Sequence, residues 1–193
     1  EIIAALRVQN KDGNFVLKLF ETFTNSSLKM IYLLSSFYKE CYICKPLFSR
    51  ESNSEKYVVC KGFKYDQKKD KKGLDLKIGK LEYILEKLTS NEYLQDIFPT
   101  LELPSEFVNQ MRYINIEIAN KQQIMINKIV VYIKNNNYYG DKYHEYRESQ
   151  INASNWWIKT YFSEKYNKNL GSNMDEISKY NQQEEIQFSK KLV

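Results

Sequence analysis

The sequence predicts an α/β protein in which a small sheet is followed by a series of helices. Residues 13–63 have the pattern of strand, helix, strand, turn and strand, because short apolar runs flank one helical stretch and one polar turn. From residue 76 onward, apolar residues recur at helical spacing instead. We therefore expect four regions: a sheet-forming part (1–64), a basic linker loop (65–75), a helical extension (76–168) and a peripheral or disordered tail (169–193).

Composition limits the class of protein. The chain is 42% hydrophobic, which suffices for a buried core, and its net charge of +5 is compatible with nucleic acid without indicating it. No apolar run reaches the roughly 18–20 residues that a membrane-spanning helix needs. The three cysteines suggest buried free thiols in a reducing compartment. Cys41 and Cys44 would point to opposite faces of a strand, so we expect no metal site.

The sheet-forming part is predicted to contain one parallel and one antiparallel connection. The predicted elements are a strand over Phe15–Phe20, a helix over Leu28–Lys39, a strand over Glu40–Lys45 and a strand over Glu55–Phe63. A helix between the first two strands makes a βαβ unit, whose strands run parallel. The turn before the third strand is too short for a crossover helix. That strand should therefore run antiparallel to its predecessor, as an antiparallel edge strand on a parallel sheet.

The helical part contains one unusually long predicted helix. Apolar residues recur at intervals of three and four in a set comprising Phe107, Met111, Ile114, Ile118, Met125, Ile129 and Ile133. This pattern predicts a helix of about 30 residues, or about 45 Å. Asn135, Asn136 and Asn137 should end it, and Trp156 and Trp157 indicate one more packed helix.

Lys18 and Glu55 are the first candidates for chemistry. Lys18 lies inside an apolar strand near its carboxyl end, where open α/β sheets place their sites. Burial there would lower the pKa of the ammonium group and make Lys18 a candidate base or hydroxyl-orienting group, with Glu55 holding it in position. The alternative is a lysine that extends to water at the end of a strand and forms a simple salt bridge with Glu55.

Three motifs, in order, resemble one enzyme family. They are Phe15-Val16-Leu17-Lys18-Leu19-Phe20, then Lys45-Pro46-x-x-Ser49-Arg50, then Asn53-Ser54-Glu55-x-Tyr57-Val58-Val59-Cys60-Lys61-Gly62-Phe63. They closely resemble the FtsJ/RrmJ-like ribose 2′-O-methyltransferases, and most of all those specific for the cap of mRNA. The resemblance is strong over residues 13–64 and weaker over residues 97–132. It implies the C-terminal half of a Rossmann-like methyltransferase sheet.

The resemblance also implies roles for individual residues. Such enzymes use a Lys-Asp-Lys-Glu tetrad, in which Lys18 matches the second lysine and Glu55 the glutamate. Lys18 would then activate the ribose 2′-hydroxyl for methyl transfer from S-adenosylmethionine, with Glu55 orienting it. The segment expected to line the RNA path contains Lys45, Ser49, Arg50 and Asn53. Arg50 would hold a phosphate or stack on a base, or else brace the turn.

Other features of the family are expected upstream of Glu1. The first lysine, the aspartate and the glycine-rich loop that binds the cofactor should precede Lys18 by about a domain's length, so the cofactor-binding residues are not assigned. Two alternatives remain open: an inactive methyltransferase-like module that binds RNA or serves as a scaffold, and an enzyme for ribosomal or transfer RNA. A cap enzyme would have capped RNA and other capping or transcription proteins as partners. It would act inside the cell, in the nucleus or cytoplasm.

Overall fold

The protein is described by a computed structural model that covers residues 1–46, 48–90, 96–161 and 186–192. Its elements, in chain order, are α1 (Ile2–Val8), β1 (Phe15–Leu19), α2 (Asn25–Ser36), β2 (Tyr38–Pro46), β3 (Lys56–Phe63), α3 (Lys71–Thr89), α4 (Ser105–Lys134), α5 (Gly140–Tyr161) and β4 (Ile186–Lys191). The chain divides into two compact units, Glu1–Gln122 with Ile186–Val193, and Gln123–Glu185. The sheet belongs to the first unit.

The sheet has the strand order β1-β3-β2-β4, and every neighbouring pair is antiparallel. Because β1 and β2 are both antiparallel to β3, they run in the same direction, as the predicted βαβ unit requires. The antiparallel direction of β3 is confirmed. Its predicted place at the edge of the sheet is wrong, since β3 fills the gap that the α2 crossover leaves between β1 and β2. The described edges are β1 and β4.

The two faces of the sheet differ in what they carry. Leu17 of β1, Val58 of β3 and Ile43 of β2 are neighbours across the strands, and all three are buried. Because side chains alternate along a strand, the adjacent positions point to the opposite face. There Lys18 lies opposite Tyr57, and both side chains are more accessible than those of the buried row.

Helices α1 to α4 bury one continuous core against this sheet. Its members include Leu6 of α1, Ile31 and Leu34 of α2, Leu74 and Ile78 of α3, and Phe107, Met111, Ile114 and Ile118 of α4. The apolar residues predicted to share one face of α4 therefore pack against the core, over the first four turns of the helix. Helices α3 and the start of α4 share the core of the sheet, so the predicted helical extension does not begin a separate unit.

Two predicted regions contain more regular structure than expected. The lysine-rich linker runs into α3, which begins at Lys71. Within the predicted tail, residues 169–185 lie outside the described residues, but Ile186–Lys191 pairs with β2 as β4. Leu192 follows β4, is buried in the core and donates its backbone N–H to the carbonyl of Cys41 at 2.8 Å. The unpaired edge of β2 thus explains why this polar segment becomes a strand.

The second unit contains the end of α4 and all of α5. Asn136 adopts a left-handed backbone conformation with φ of 54° just after α4, where the break was predicted. Tyr132 and Tyr146 make an edge-on ring contact with centroids 4.9 Å apart. Trp156 is buried, in agreement with the prediction of a packed helix there. Among the described residues, no helix is long and apolar enough to cross a membrane.

The core packing of α4 gives a direct test of the fold. Ile114 is fully buried and Ile116, two residues along the same helix, is exposed. Ile114→Ala should lower the free energy of unfolding by about 2–5 kcal/mol, because it leaves a cavity, whereas Ile116→Ala should cost less than about 1 kcal/mol. Denaturant unfolding of wild type and the two variants measures these free energies of unfolding. Equal losses would show that this face of α4 does not pack on the sheet.

Candidate active site

Lys18 and Glu55 meet on the accessible face of the sheet. Lys18 is on β1, and Glu55 directly precedes β3, whose Tyr57 lies opposite Lys18. The Lys18 Nζ is 3.3 Å from Oε2 of Glu55. Glu55 is one residue before the strand, so strand alternation places it on the same face as Tyr57. Both interpretations of the sequence, the catalytic pair and the simple salt bridge, contain this contact.

Tyr57 completes a three-residue group. Its hydroxyl donates a hydrogen bond of 2.6 Å to Oε1 of Glu55, the oxygen that Lys18 does not hold. This hydrogen bond, and then the ammonium group of Lys18, lower the pKa of Glu55 below its usual range. The same contact raises the pKa of Tyr57. Glu55 is thus held as a carboxylate with both oxygens occupied.

Lys18 is more accessible than the sequence suggested. Its side chain is 49% exposed, whereas that of Glu55 is 17% exposed. The Lys18 Nζ also lies 5.2 Å from the centre of the Phe20 ring, a cation–π distance. Within the described residues, this face of β1 is not covered, because Val16 and Phe20 are exposed as well. The ammonium group is consequently open to a ligand on this face.

The other predicted site residues occupy the turn between β2 and β3. Lys45 is buried, at 1% exposure, and its ammonium group points into the turn. It donates to Oγ of Ser49 at 3.1 Å, to Oδ1 of Asn53 at 3.2 Å and to the carbonyl of Glu55 at 2.9 Å. Of the four residues expected along the RNA path, three therefore form an internal network. The exposed Arg50 has no side-chain partner in the part of the chain that the structure describes.

A second buried lysine lies under the same site. Lys56 is 2% exposed and donates to the carbonyl of Ser54 at 3.1 Å and to the carbonyl of Phe20. Burial lowers the pKa of Lys56 to about 8 and also lowers that of Lys45. Phe20 immediately follows β1, so Lys56 ties the end of the Lys18 strand to the residue before Glu55.

Helix α4 supports both loops beside the site. The side-chain amide of Asn115 donates to the carbonyl of Thr22 at 3.0 Å, and its oxygen accepts from the Thr22 hydroxyl at 2.7 Å. About two helical turns further along the same face, Gln122 donates to the carbonyl of Ser52 at 3.3 Å. The loop after β1 and the turn before β3 are thus both fixed to one helix.

Neither Tyr57 nor Lys56 was predicted to be a site residue. A signal for Tyr57 was present, because residues two apart on a strand share a face and Glu55-Lys56-Tyr57 puts a hydroxyl beside the carboxylate. No comparable signal marks Lys56. Charged residues are almost never fully buried, so the sequence alone predicts an exposed side chain at this position.

Among the described residues, no motif typical of a nucleotide cofactor site is present. No stretch of them forms a glycine-rich loop at a helix start, which is how a nucleotide cofactor is commonly cradled. Within the same residues, no cluster of three or more potential metal ligands occurs. Cys41 and Cys60 are buried opposite each other with sulfurs 3.7 Å apart.

Replacing Tyr57 with phenylalanine should raise the pKa of Glu55, because the hydroxyl bond is the largest stabilisation of the carboxylate. A lowered carboxyl pKa stabilises the folded protein above the ordinary pKa and loses this effect as the pH falls through the folded value. The variant should therefore be less stable than wild type at neutral pH, and this difference should vanish as the pH falls below the folded pKa of Glu55. Carbon-13 NMR titration of the Glu55 carboxyl measures the shift.

Tyr42→Phe is the control for this titration. Its hydroxyl donates to Glu40, at 3.2 Å, and does not contact Glu55. The control should leave the midpoint of Glu55 unchanged. The same midpoint in wild type and Tyr57→Phe would contradict the hydrogen bond.

The sheet-forming part of the chain matches a known protein family. Residues 1–63 match the model of the FtsJ-like methyltransferase family. The chain is 28% identical over 137 residues to a cap-specific mRNA (nucleoside-2'-O-)-methyltransferase 1 of Caenorhabditis elegans, covering 70% of this chain and 15% of the relative. It is 32% identical over 141 residues to the Drosophila melanogaster protein of the same name, covering 70% of this chain and 17% of the relative.

A third relative is named as inactive. The chain is 26% identical over 137 residues to an inactive cap-specific mRNA (nucleoside-2'-O-)-methyltransferase 1B of Caenorhabditis briggsae, covering 70% of this chain and 16% of the relative. The chain thus spans less than a fifth of the length of these curated relatives. In its α/β architecture and its motifs, the segment 1–63 is similar to the FtsJ-like methyltransferase family, whose model it matches.

Proposed function

We propose that this chain is part of an S-adenosylmethionine-dependent ribose 2′-O-methyltransferase that acts on capped mRNA. The observation that supports it most is the 3.3 Å contact between Lys18 and Glu55 inside the segment that matches the family. The finer fold that we propose is the C-terminal half of a Rossmann-like methyltransferase sheet. Residues outside this chain would bind the cofactor.

The proposed reaction needs a group that holds the acceptor hydroxyl. S-adenosylmethionine, when bound, supplies the methyl group. On the acceptor side, Lys18 would hold the ribose 2′-hydroxyl. The hydroxyl oxygen acts as the nucleophile, and its proton passes to water at this exposed face. Glu55 keeps the ammonium group pointed at that position, and Tyr57 keeps Glu55 ionised and in place. The exposure of Lys18 suits a substrate as large as RNA.

Arg50 is the best placed of the predicted RNA contacts. Its side chain is exposed on the turn that leads to Glu55. A guanidinium group there suits a phosphate oxygen pair or the face of a base. We propose that Lys45, Ser49 and Asn53 shape this part of the RNA path from within the turn, since their polar groups are bonded to one another.

The names of the relatives favour capped mRNA over ribosomal or transfer RNA, because all three are cap-specific. Capping and transcription proteins remain proposed partners, and the nucleus or cytoplasm remains the proposed location. A second candidate is an inactive module that binds RNA or serves as a scaffold. The relative named as inactive favours it, since it matches the same share of this chain as the other two.

Lys18→Ala in the full-length protein should lower the rate of methyl transfer to capped RNA by at least about 100-fold, because it removes the group that holds the acceptor hydroxyl. Transfer of a labelled methyl group from S-adenosylmethionine to the first transcribed nucleotides measures this. Lys61→Ala is a matched control, because Lys61 is also a sheet lysine near an aromatic ring, with its Nζ 5.4 Å from the centre of the Tyr42 ring.

The control should keep nearly the full rate. Equal transfer by wild type and Lys18→Ala would end the catalytic assignment of Lys18. Wild-type protein that binds capped RNA but transfers no methyl group would favour the inactive module instead.

A further inference from the structure

Two buried ammonium groups lie directly beneath the candidate active site. Lys45 and Lys56 are 1% and 2% exposed, respectively. Burying an ammonium group is costly unless it is paired and hydrogen-bonded. Within the described residues, no carboxylate lies at ion-pair distance from either of them, so backbone carbonyls are their principal partners. An arrangement that costly calls for an explanation.

Three of the four carbonyls that they bind are consecutive and end at Glu55. Lys45 binds the carbonyl of Asn53 at 3.2 Å and that of Glu55 at 2.9 Å. Lys56 binds the carbonyl between them, that of Ser54, at 3.1 Å. The backbone on both sides of the Glu55 Cα is therefore held from the core face of the sheet, while its side chain extends to the accessible face.

The same pair also fixes the other half of the site. Lys56 binds the carbonyl of Phe20, two residues after Lys18. Ser54 adds a second link, because its hydroxyl donates to Oε1 of Glu21 at 2.6 Å. The segment after β1 is thus joined to the segment before β3 at the end of the sheet where Lys18 and Glu55 meet. A shift of about 1 Å in either segment would separate reacting groups enough to slow catalysis strongly.

We propose that Lys45 and Lys56 are positioning residues that set the distance between Lys18 and Glu55. The inference rests on the proposed methyltransferase function, and it assigns Lys45 a role behind the site in addition to the RNA path that the motif implied. A third buried lysine differs from these two in having a carboxylate partner. Lys29 is 3% exposed, but it forms an ion pair with Asp96 at 2.5 Å and binds the carbonyl of Phe98 at 3.0 Å. That lysine joins α2 to Asp96 and Phe98, and among the described residues it makes no hydrogen bond to the backbone around Glu55.

Lys29→Met is therefore a matched control for Lys45→Met and Lys56→Met. All three variants remove a buried ammonium group and keep an unbranched apolar side chain, so all should lower the melting temperature. In the full-length protein, Lys45→Met and Lys56→Met should lower kcat for capped RNA by about tenfold or more with KM nearly unchanged. Lys29→Met should keep kcat within about twofold of wild type.

A double-variant test separates positioning from a general loss of stability. If Lys56 acts through Glu55, Lys56→Met should lower kcat no further in a Glu55→Gln background, because the group it positions is already lost. If the double variant lost kcat by the product of the two separate factors, the proposal for Lys56 would be overturned. A higher KM for RNA at normal kcat in Lys45→Met would make Lys45 a direct RNA contact and overturn its positioning role. Where a methionine variant does not fold, the arginine variant at the same position keeps a charged donor and should recover part of kcat.

A second readout does not depend on activity. The backbone N–H of Glu55 donates to Oδ1 of Asn53 at 3.1 Å, and Lys45 holds the same oxygen. Amide hydrogen exchange at Glu55 should accelerate at least about tenfold in Lys45→Met and stay near wild type in Lys29→Met. Equal exchange in both variants would overturn the proposal. A wild-type protein without transferase activity would refute the proposed function, while exchange would still decide whether the two lysines position Glu55.

Discussion

The register between β1 and β3 is the constraint on which the site depends. It sets Lys18 opposite Tyr57 and so brings the lysine beside Glu55. Because side chains on a strand alternate, a slip of one residue would turn Lys18 into the core and Leu17 onto the accessible face. The buried row of Leu17, Val58 and Ile43 opposes that slip, since it would expose apolar surface. Core packing therefore fixes the geometry of the charged pair.

The polar contacts around the site divide between two sides of the sheet. On the accessible face, Tyr57 and Lys18 hold the two oxygens of the Glu55 carboxylate. On the core face, Lys45 and Lys56 hold the backbone that carries it. Helix α4 then fixes the two flanking loops. Most of the polar network thus serves to place Lys18 and Glu55, the two residues proposed to act on a substrate.

The sequence predicted the charged pair and the long helix well, for different reasons. Lys18 and Glu55 lie in motifs whose spacing is specific, and the apolar period of α4 is regular over its packed turns. Strand order was not predictable in the same way, because the crossover leaves a gap that only the later β3 fills. The inward direction of Lys45 depends on oxygens from a turn whose shape the sequence does not display. Strand β4 was missed because a polar segment forms it where β2 has an unpaired edge.

The most direct test of the account is an experimental structure of the full-length protein with a capped RNA and S-adenosylhomocysteine. The ribose 2′-oxygen at the methylated nucleotide should lie within hydrogen-bond distance of Lys18 Nζ, roughly 2.7–3.2 Å. Glu55 should still contact that ammonium group. A ribose bound elsewhere, with Lys18 facing only solvent, would contradict the account.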